Sequence, residues 1–252
     1  MKEKLIKIYQ DTKDICSSIP VPITEKFNWI EDDIQGGNNY PIKSGNIIVE
    51  PMDTVSALIK YSKLGKTAVL NMASSKRKGG GVENGARAQE EGLFRCSNLF
   101  TIPDGLYPIG REEYIYTQDA TFVKDFNYQE MTSIKADVIT IPAINLNSKS
   151  EDKSGLGDYE SEYLDRMFYM INSALINGCD NIILGAWGCG VFGNDPKIIS
   201  ELFKETLLGS EDRHTDWIPS SLCKMFNNVV FAVINDHNSV GSNYEVFKST
   251  FQ

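Results

Sequence analysis

The chain has 252 residues, with 25 Lys plus Arg against 34 Asp plus Glu, a formal net charge of −9 and 41% hydrophobic residues. This is enough apolar material for one large domain, with no run of about 18 apolar residues to span a bilayer and none of the clustered basic charge that general nucleic-acid binding requires. An anionic ligand must therefore be captured locally, by backbone amides or by a small basic patch. Five scattered cysteines (Cys16, Cys96, Cys179, Cys189, Cys223) and two histidines, with no CxxC pair, argue against a disulfide framework or a structural zinc site. The opening MKEKLIKIYQ has no apolar h-region, so a reducing cytoplasm is the expected compartment.

Residues 1–45 begin with an amphipathic helix carrying Leu5, Ile6, Ile8 and Tyr9. A connection rich in Pro and Gly follows, through Pro20, Pro22, Gly36, Gly37 and Pro41. This segment reads as an N-terminal extension packed on a main domain of residues 46–252. Beyond it, short β-branched runs alternate with helical patterns, the rhythm of an α/β domain. Strands are expected at Asn46–Glu50, Thr67–Asn71, Asp137–Ile141, Asn181–Gly185 and Val229–Ile234, most of them nearly continuous in apolar residues, as in strands covered on both faces. Helices are expected at Thr54–Leu64, Glu160–Ile176 and Pro196–Leu208. Residues 101–135 fit poorly, being turn-rich and aromatic (Tyr107, Tyr114, Tyr116, Phe122, Phe126, Tyr128), and suggest short strands or a long insertion.

Two glycine loops fall at the carboxyl ends of strands, where open α/β sheets bind ligands. The first follows Asn71 and a basic segment, Lys76-Arg77-Lys78, and contains Gly79-Gly80-Gly81. Glycines allow positive φ and close backbone approach to a ligand, although a glycine run by itself is more often a simple turn. The spacing is neither GxGxxG nor GxxxxGK[ST]. Gln89-Glu90-Glu91 follows at an expected helix start, where acidic residues ordinarily complement the helix dipole. Adjacent helical residues diverge by roughly 100°, which does not suit the two-carboxylate geometry of most glycosidases; one glutamate acting as acid and then base is compatible. The second loop, GAWGCGVFGNDP over 185–196, ends in Asp195 as a helix N-cap with Pro196 at the first helical position. Two such loops are able to hold a diphosphate from both sides. Phe192 reads equally as a ribose-facing aromatic or as loop packing. Cys189 is expected to be a small buried filler rather than a nucleophile, and Trp187 a core residue.

At GGGVENGARAQEE the sequence resembles the microbial-type poly(ADP-ribose) glycohydrolases of the macrodomain superfamily, whose mark is GGG, a short spacer and QEE. The spacer here, Val82–Ala88, has seven residues. The similarity extends to VLNMAS, GAWGCGVFGNDP and VVFAV, and so covers about residues 46–236. Lys78 stands where the family commonly has proline, and Met72 where it commonly has phenylalanine. The resemblance implies a three-layer α/β/α sandwich around a mixed, largely parallel sheet, with an N-terminal helical extension. It also implies roles for particular residues. Glu91 would be the catalytic acid/base, Glu90 would bind the ribose hydroxyls, and Gln89 would support them. Gly80, Gly81 and Val82 would wrap the diphosphate together with Gly188, Cys189, Gly190, Val191, Phe192 and Gly193. Asn71 would shape the first loop, and Asp53 would meet the adenine. A Glu91 tucked under Leu93 and Phe94 is expected to have a raised pKa.

No metal and no cofactor are expected, and the chain is expected to be a bare catalytic domain acting as a monomer. The implied activity is hydrolysis of poly(ADP-ribose), or of another ADP-ribosylated substrate, from the chain end with release of ADP-ribose. Two alternatives stay open at this point: hydrolysis of mono-ADP-ribosyl linkages on protein or nucleic acid, and a non-catalytic ADP-ribose reader. A structural α/β domain binding some other nucleotide is a third, and the intact QEE favours the enzyme.

Overall fold

The computed structural model describes residues 1–32, 40–147, 159–209, 221–235 and 242–252. Gly36, Gly37, His214 and His237 lie outside the described residues. In chain order the elements are α1 (Lys2–Ile15), β1 (Thr24–Asn28), β2 (Asn46–Glu50), α2 (Thr54–Tyr61), β3 (Thr67–Met72), α3 (Gln89–Cys96), β4 (Glu113–Lys124), β5 (Glu130–Ile141), α4 (Tyr159–Ile176), β6 (Asn181–Leu184), α5 (Pro196–Leu208), β7 (Asn228–Ala232) and α6 (Asn243–Phe251). Short 3-10 turns join several of them. The chain forms two compact units, residues 1–33 with 53–142 and residues 34–52 with 143–252.

The first unit carries strands in the order β1-β4-β5-β3. β1 and β5 run antiparallel to β4, while β3 runs parallel to β5. Its core is built on β3 and β5, where Ala68, Val69, Leu70, Val138, Ile139 and Ile141 are fully buried. Residues 101–135, expected as short strands or an insertion, instead supply β4 and the first half of β5, each strand 12 residues long. The pairing shifts register between Thr117 and Ala120, where Asp119 has φ 54°. That bulge hides the period-two alternation from which a strand is read.

Two buried cations tie α1 into this unit. Arg95, on α3, donates from Nη2 to Ala86 O (2.6 Å) and from Nε to Leu5 O of α1 (3.4 Å). Lys124, at the end of β4, donates to Ile8 O (3.2 Å), to Thr12 Oγ1 (2.9 Å) and to Asp11 Oδ2 (2.6 Å), all on α1. Burial of a charge is tolerated only when it is paired and hydrogen-bonded in this way.

The second unit carries β6-β7-β2, all parallel, in the register Asn181↔Asn228 and Asn46↔Asn228. The expected spans for β2, β6, β7, α4 and α5 fall within two residues of those observed, with α5 matching at both ends. α5 starts as its sequence dictates, with Asp195 Oδ1 accepting from Lys197 N (2.8 Å) and Pro196 opening the helix. A chain of aromatic rings fills the core: Tyr163 meets Trp187 edge-on at 5.2 Å, Phe203 meets Phe231 at 5.2 Å, and Phe231 meets Phe247 at 5.4 Å. Trp187 is a core residue, as expected. The parallel and antiparallel strands with covering helices are the α/β class expected from the sequence.

Candidate active site

β3 ends at Met72, and the chain returns 17 residues later with Gln89 opening α3. Gln89 stitches the two together. Its Oε1 accepts from Met72 N (2.9 Å), and its Nε2 donates to Leu70 O (2.6 Å) and to Thr54 Oγ1 (3.2 Å). A primary amide bonded to the backbone on either side of one residue imitates the peptide group of a parallel neighbouring strand. Gln89 is thereby fully committed to positioning.

The two carboxylates that follow are both buried but differ in their partners. Glu91 Oε1 accepts from Gly81 N (2.9 Å) and Oε2 from Ala88 N (3.0 Å). The second bond is the returning half of a capping box; Ala88, with no side-chain acceptor, supplies no other half. Glu90 Oε2 accepts from Ser74 N (2.8 Å), and Asn71 Nδ2 lies 3.5 Å from Glu90 Oε1. Burial pushes Glu90 up to about 8, opposed by the Ser74 amide and reinforced by the charge of Glu91. Glu90 is thus a buried carboxyl with a raised pKa within the QEE run.

Although adjacent on the helix, the carboxylates converge on one glycine. A Cβ on Gly80 would lie 2.7 Å from Glu91 Oε1 and 2.9 Å from Glu90 Oε2, and its φ is +58°. Only glycine accepts both the crowding and the left-handed backbone. The amides of this loop are occupied: Gly80 N donates to Arg77 O (3.0 Å), Gly81 N to Glu91, and Val82 N to Gly79 O (3.0 Å). The Val82 side chain is buried. Lys78, read as part of a basic patch, donates instead to Phe100 O (2.9 Å) and Ile102 O (2.7 Å), fastening the loop to the turns ahead of β4.

Asn71 is buried beneath Glu90 and donates to Thr140 Oγ1 (3.2 Å). Asp53, expected at the adenine, caps α2 through Oδ1, which accepts from Ser56 N (2.9 Å). Leu93 and Phe94 are buried on α3 as expected.

The second glycine loop follows β6. Gly188 has φ 76°, and a Cβ there would lie 2.8 Å from Ala143 Cβ. Cys189 is fully buried, its thiol pushed up by that burial, in agreement with a filler role. Val191 is exposed and Phe192 half-buried, with Phe192 O accepting from Leu146 N (2.9 Å). Gly190 O accepts from Gly193 N (3.0 Å), which closes the turn. The residue holding this loop is Asn194, which the sequence reading passed over. Its Nδ2 donates to Ile144 O (2.9 Å) and Gly188 O (3.0 Å), and its own N–H donates to Gly188 O (3.1 Å). An Asn beside an Asp-Pro cap was the available signal. Among the described residues, no group of three or more His, Cys, Asp or Glu is placed to hold a metal ion, and no helix is long and apolar enough to cross a membrane.

Residues 21–129, which contain β1, the GGG loop and QEE, match the family described as the microbial-type PARG catalytic domain. Over those residues the chain is similar to the microbial-type PARGs. The match reaches into the segment before residue 46 and across residues 101–129, two regions where no motif was readable. Solved structures of bacterial PARGs share the fold. A poly(ADP-ribose) glycohydrolase from Thermomonospora curvata bound to the inhibitor ADP-HPD superposes with a TM-score of 0.79 at 24% identity, over 99% of this chain and 100% of that one. A PARG from Deinococcus radiodurans in complex with ADP-ribose gives 0.75 at 24% identity, over 98% and 96%. A further Deinococcus radiodurans PARG complex with ADP-ribose gives 0.74 at 26% identity, over 91% and 94%. No curated protein matches.

Proposed function

We propose that this chain hydrolyses the ribose–ribose O-glycosidic bonds of poly(ADP-ribose) from the chain end, releasing ADP-ribose. The observation that carries this reading is the convergence of the Glu90 and Glu91 carboxylates on Gly80, inside the stretch that matches the microbial-type PARG catalytic domain. ADP-ribose and ADP-HPD in the related PARG structures support the ligand class.

Glu91 is the reacting group. It gives a proton to the leaving ribose oxygen as the C–O bond breaks, and the other ribose develops oxocarbenium character. It then takes a proton from the water that attacks the anomeric carbon, ending in its starting state. An anionic diphosphate nearby stabilises the positive charge that builds in the transition state. The diphosphate competes with Glu91 for the Gly81 N–H, and that exchange frees Oε1 for the glycosidic oxygen. Glu90, with its pKa near 8, is largely protonated at neutral pH. It then removes one negative charge from the path of an anionic substrate and engages ribose hydroxyls as donor and acceptor. Gly188 to Gly193 serve the diphosphate as the second glycine loop, and Asp53 serves the adenine. The enzyme works as a monomer in a reducing cytoplasm, which suits its five free, buried cysteines.

The test is release of ADP-ribose from poly(ADP-ribose) by the wild type and by Glu91→Ala, with ADP-ribose affinity measured on both. Loss of general acid–base catalysis lowers turnover by about 10²–10⁴-fold while binding is retained. A Glu91→Ala variant as active as the wild type would remove Glu91 from the mechanism. A wild type that binds ADP-ribose without releasing it from polymer would redirect the activity to mono-ADP-ribosyl linkages.

A further inference from the structure

Tyr107 stands on the turn ahead of β4, in a stretch where the sequence carries no site motif. Ile109 N donates to Ser75 O (2.8 Å), which straps this turn to the chain leaving β3. The Tyr107 ring and Leu106 pack against Ala73, Ile109 and Ile115. Ala73 lies between Met72 and Ser74, whose amides donate to Gln89 and Glu90. The ring is therefore laid along the backbone that holds the QEE side chains.

Its hydroxyl is buried and has no hydrogen-bond partner among the described residues. Burial first, and then the Glu90 carboxylate, push the phenol above its ordinary value, so it is a donor at every working pH. Asn71 Oδ1 is likewise buried without a partner among the described residues, on the side chain whose Nδ2 faces Glu90. A buried polar atom left unsatisfied costs about 1–3 kcal/mol, and such atoms in native proteins call for an explanation. One donor and one acceptor beside the same carboxyl are the complement of a vicinal diol.

We infer that Tyr107 is a substrate-binding residue whose hydroxyl donates to the ribose diol engaged by Glu90, with Asn71 Oδ1 accepting from the same sugar. This rests on the proposed role of Glu90 at the ribose and adds a determinant to it. The phenol fixes the sugar's rotation while Glu91, which like Glu90 lies against Gly80, meets the glycosidic oxygen.

Tyr107→Phe removes the hydroxyl and keeps the ring. A lost hydrogen bond predicts ADP-ribose binding weaker by about five- to tenfold, measured by titration calorimetry. Loss of the unsatisfied hydroxyl predicts a ligand-free melting temperature roughly 2–4 °C higher. A purely packing role for Tyr107 predicts the gain in melting temperature but no change in affinity. Tyr107→Leu, which also removes the ring, lowers the melting temperature while its affinity matches that of the Phe variant. A Tyr107→Phe protein that binds ADP-ribose as tightly as an active wild type overturns the inference and leaves the glycohydrolase reading standing. A wild type that does not bind ADP-ribose overturns both, and its own titration shows this without any variant.

Discussion

Glu90 makes stability depend on pH in a direction opposite to that of most carboxylates. Its pKa rises from 4.5 to about 8 on folding, chiefly through burial. The folded protein therefore holds this proton more tightly than the unfolded chain, and stability falls as pH climbs from the unfolded value to the folded one. At 1.36 kcal/mol for each pH unit, a rise of about 3.5 units amounts to roughly 5 kcal/mol, taken as an order of magnitude. The loss begins near pH 4.5, is complete near pH 8 and then levels. Glu90→Gln keeps an acceptor for Ser74 N and has no proton to lose. Urea unfolding of both proteins between pH 5 and pH 9 isolates the effect, because every other titrating group is common to the two. The variant should gain several kcal/mol over the wild type across that range, or a Tm advantage of about 10–20 °C at the alkaline end. A difference in unfolding free energy that stays constant from pH 5 to pH 9 refutes the buried-proton account.

Two further substitutions probe the framework around the dyad. Gly80→Ala forces a left-handed alanine, at about 1–2 kcal/mol, and drives its methyl into both carboxylates. Its far-UV circular dichroism should match the wild type while polymer turnover falls at least about tenfold for the displaced groups; full turnover would mean that the carboxylates have room to move. Gln89→Leu leaves Leu70 O and Met72 N without their side-chain partners, a loss of about 2–4 kcal/mol. A thermal melt should register this as a drop of roughly 5–15 °C, and an unchanged Tm would show that the side-chain stitch contributes nothing to the fold.

The parts of this molecule that could be read from sequence were those whose signal is local. β2, β3, β6 and β7 are apolar runs bounded by turn residues, and α5 has a proline start and an aspartate cap. β4 and β5 were obscured for physical reasons. β4 carries its bulge at the polar Gln118-Asp119, and the first half of β5 is largely exposed and polar. β1 was missed because it is a five-residue edge strand with no fully buried position. At the site, GGG and QEE were legible as a spacing, but the division of labour within them was not. Nothing in the order Gln-Glu-Glu says that the amide completes a strand, that Ser74 and burial govern Glu90, or that Gly81 and Ala88 take both oxygens of Glu91. Those facts depend on what the chain returns to, as does the approach of Tyr107.

The Gln89 stitch bears on how such a site can change its substrate. Because the amide is woven into the backbone of β3, the dyad takes its coordinates from a sheet strand, and a shift of the glutamates would mean unpicking that strand. The Gly79–Gly81 segment is bonded within its own turn and to Glu91 rather than to the sheet. Variation among relatives that take different substrates is thus expected to gather in the residues that lean on the glycine turn, while the two carboxylates stay where the strand sets them. The carboxylates are placed by the strand, and the choice of what reaches them is left to the surroundings of the turn.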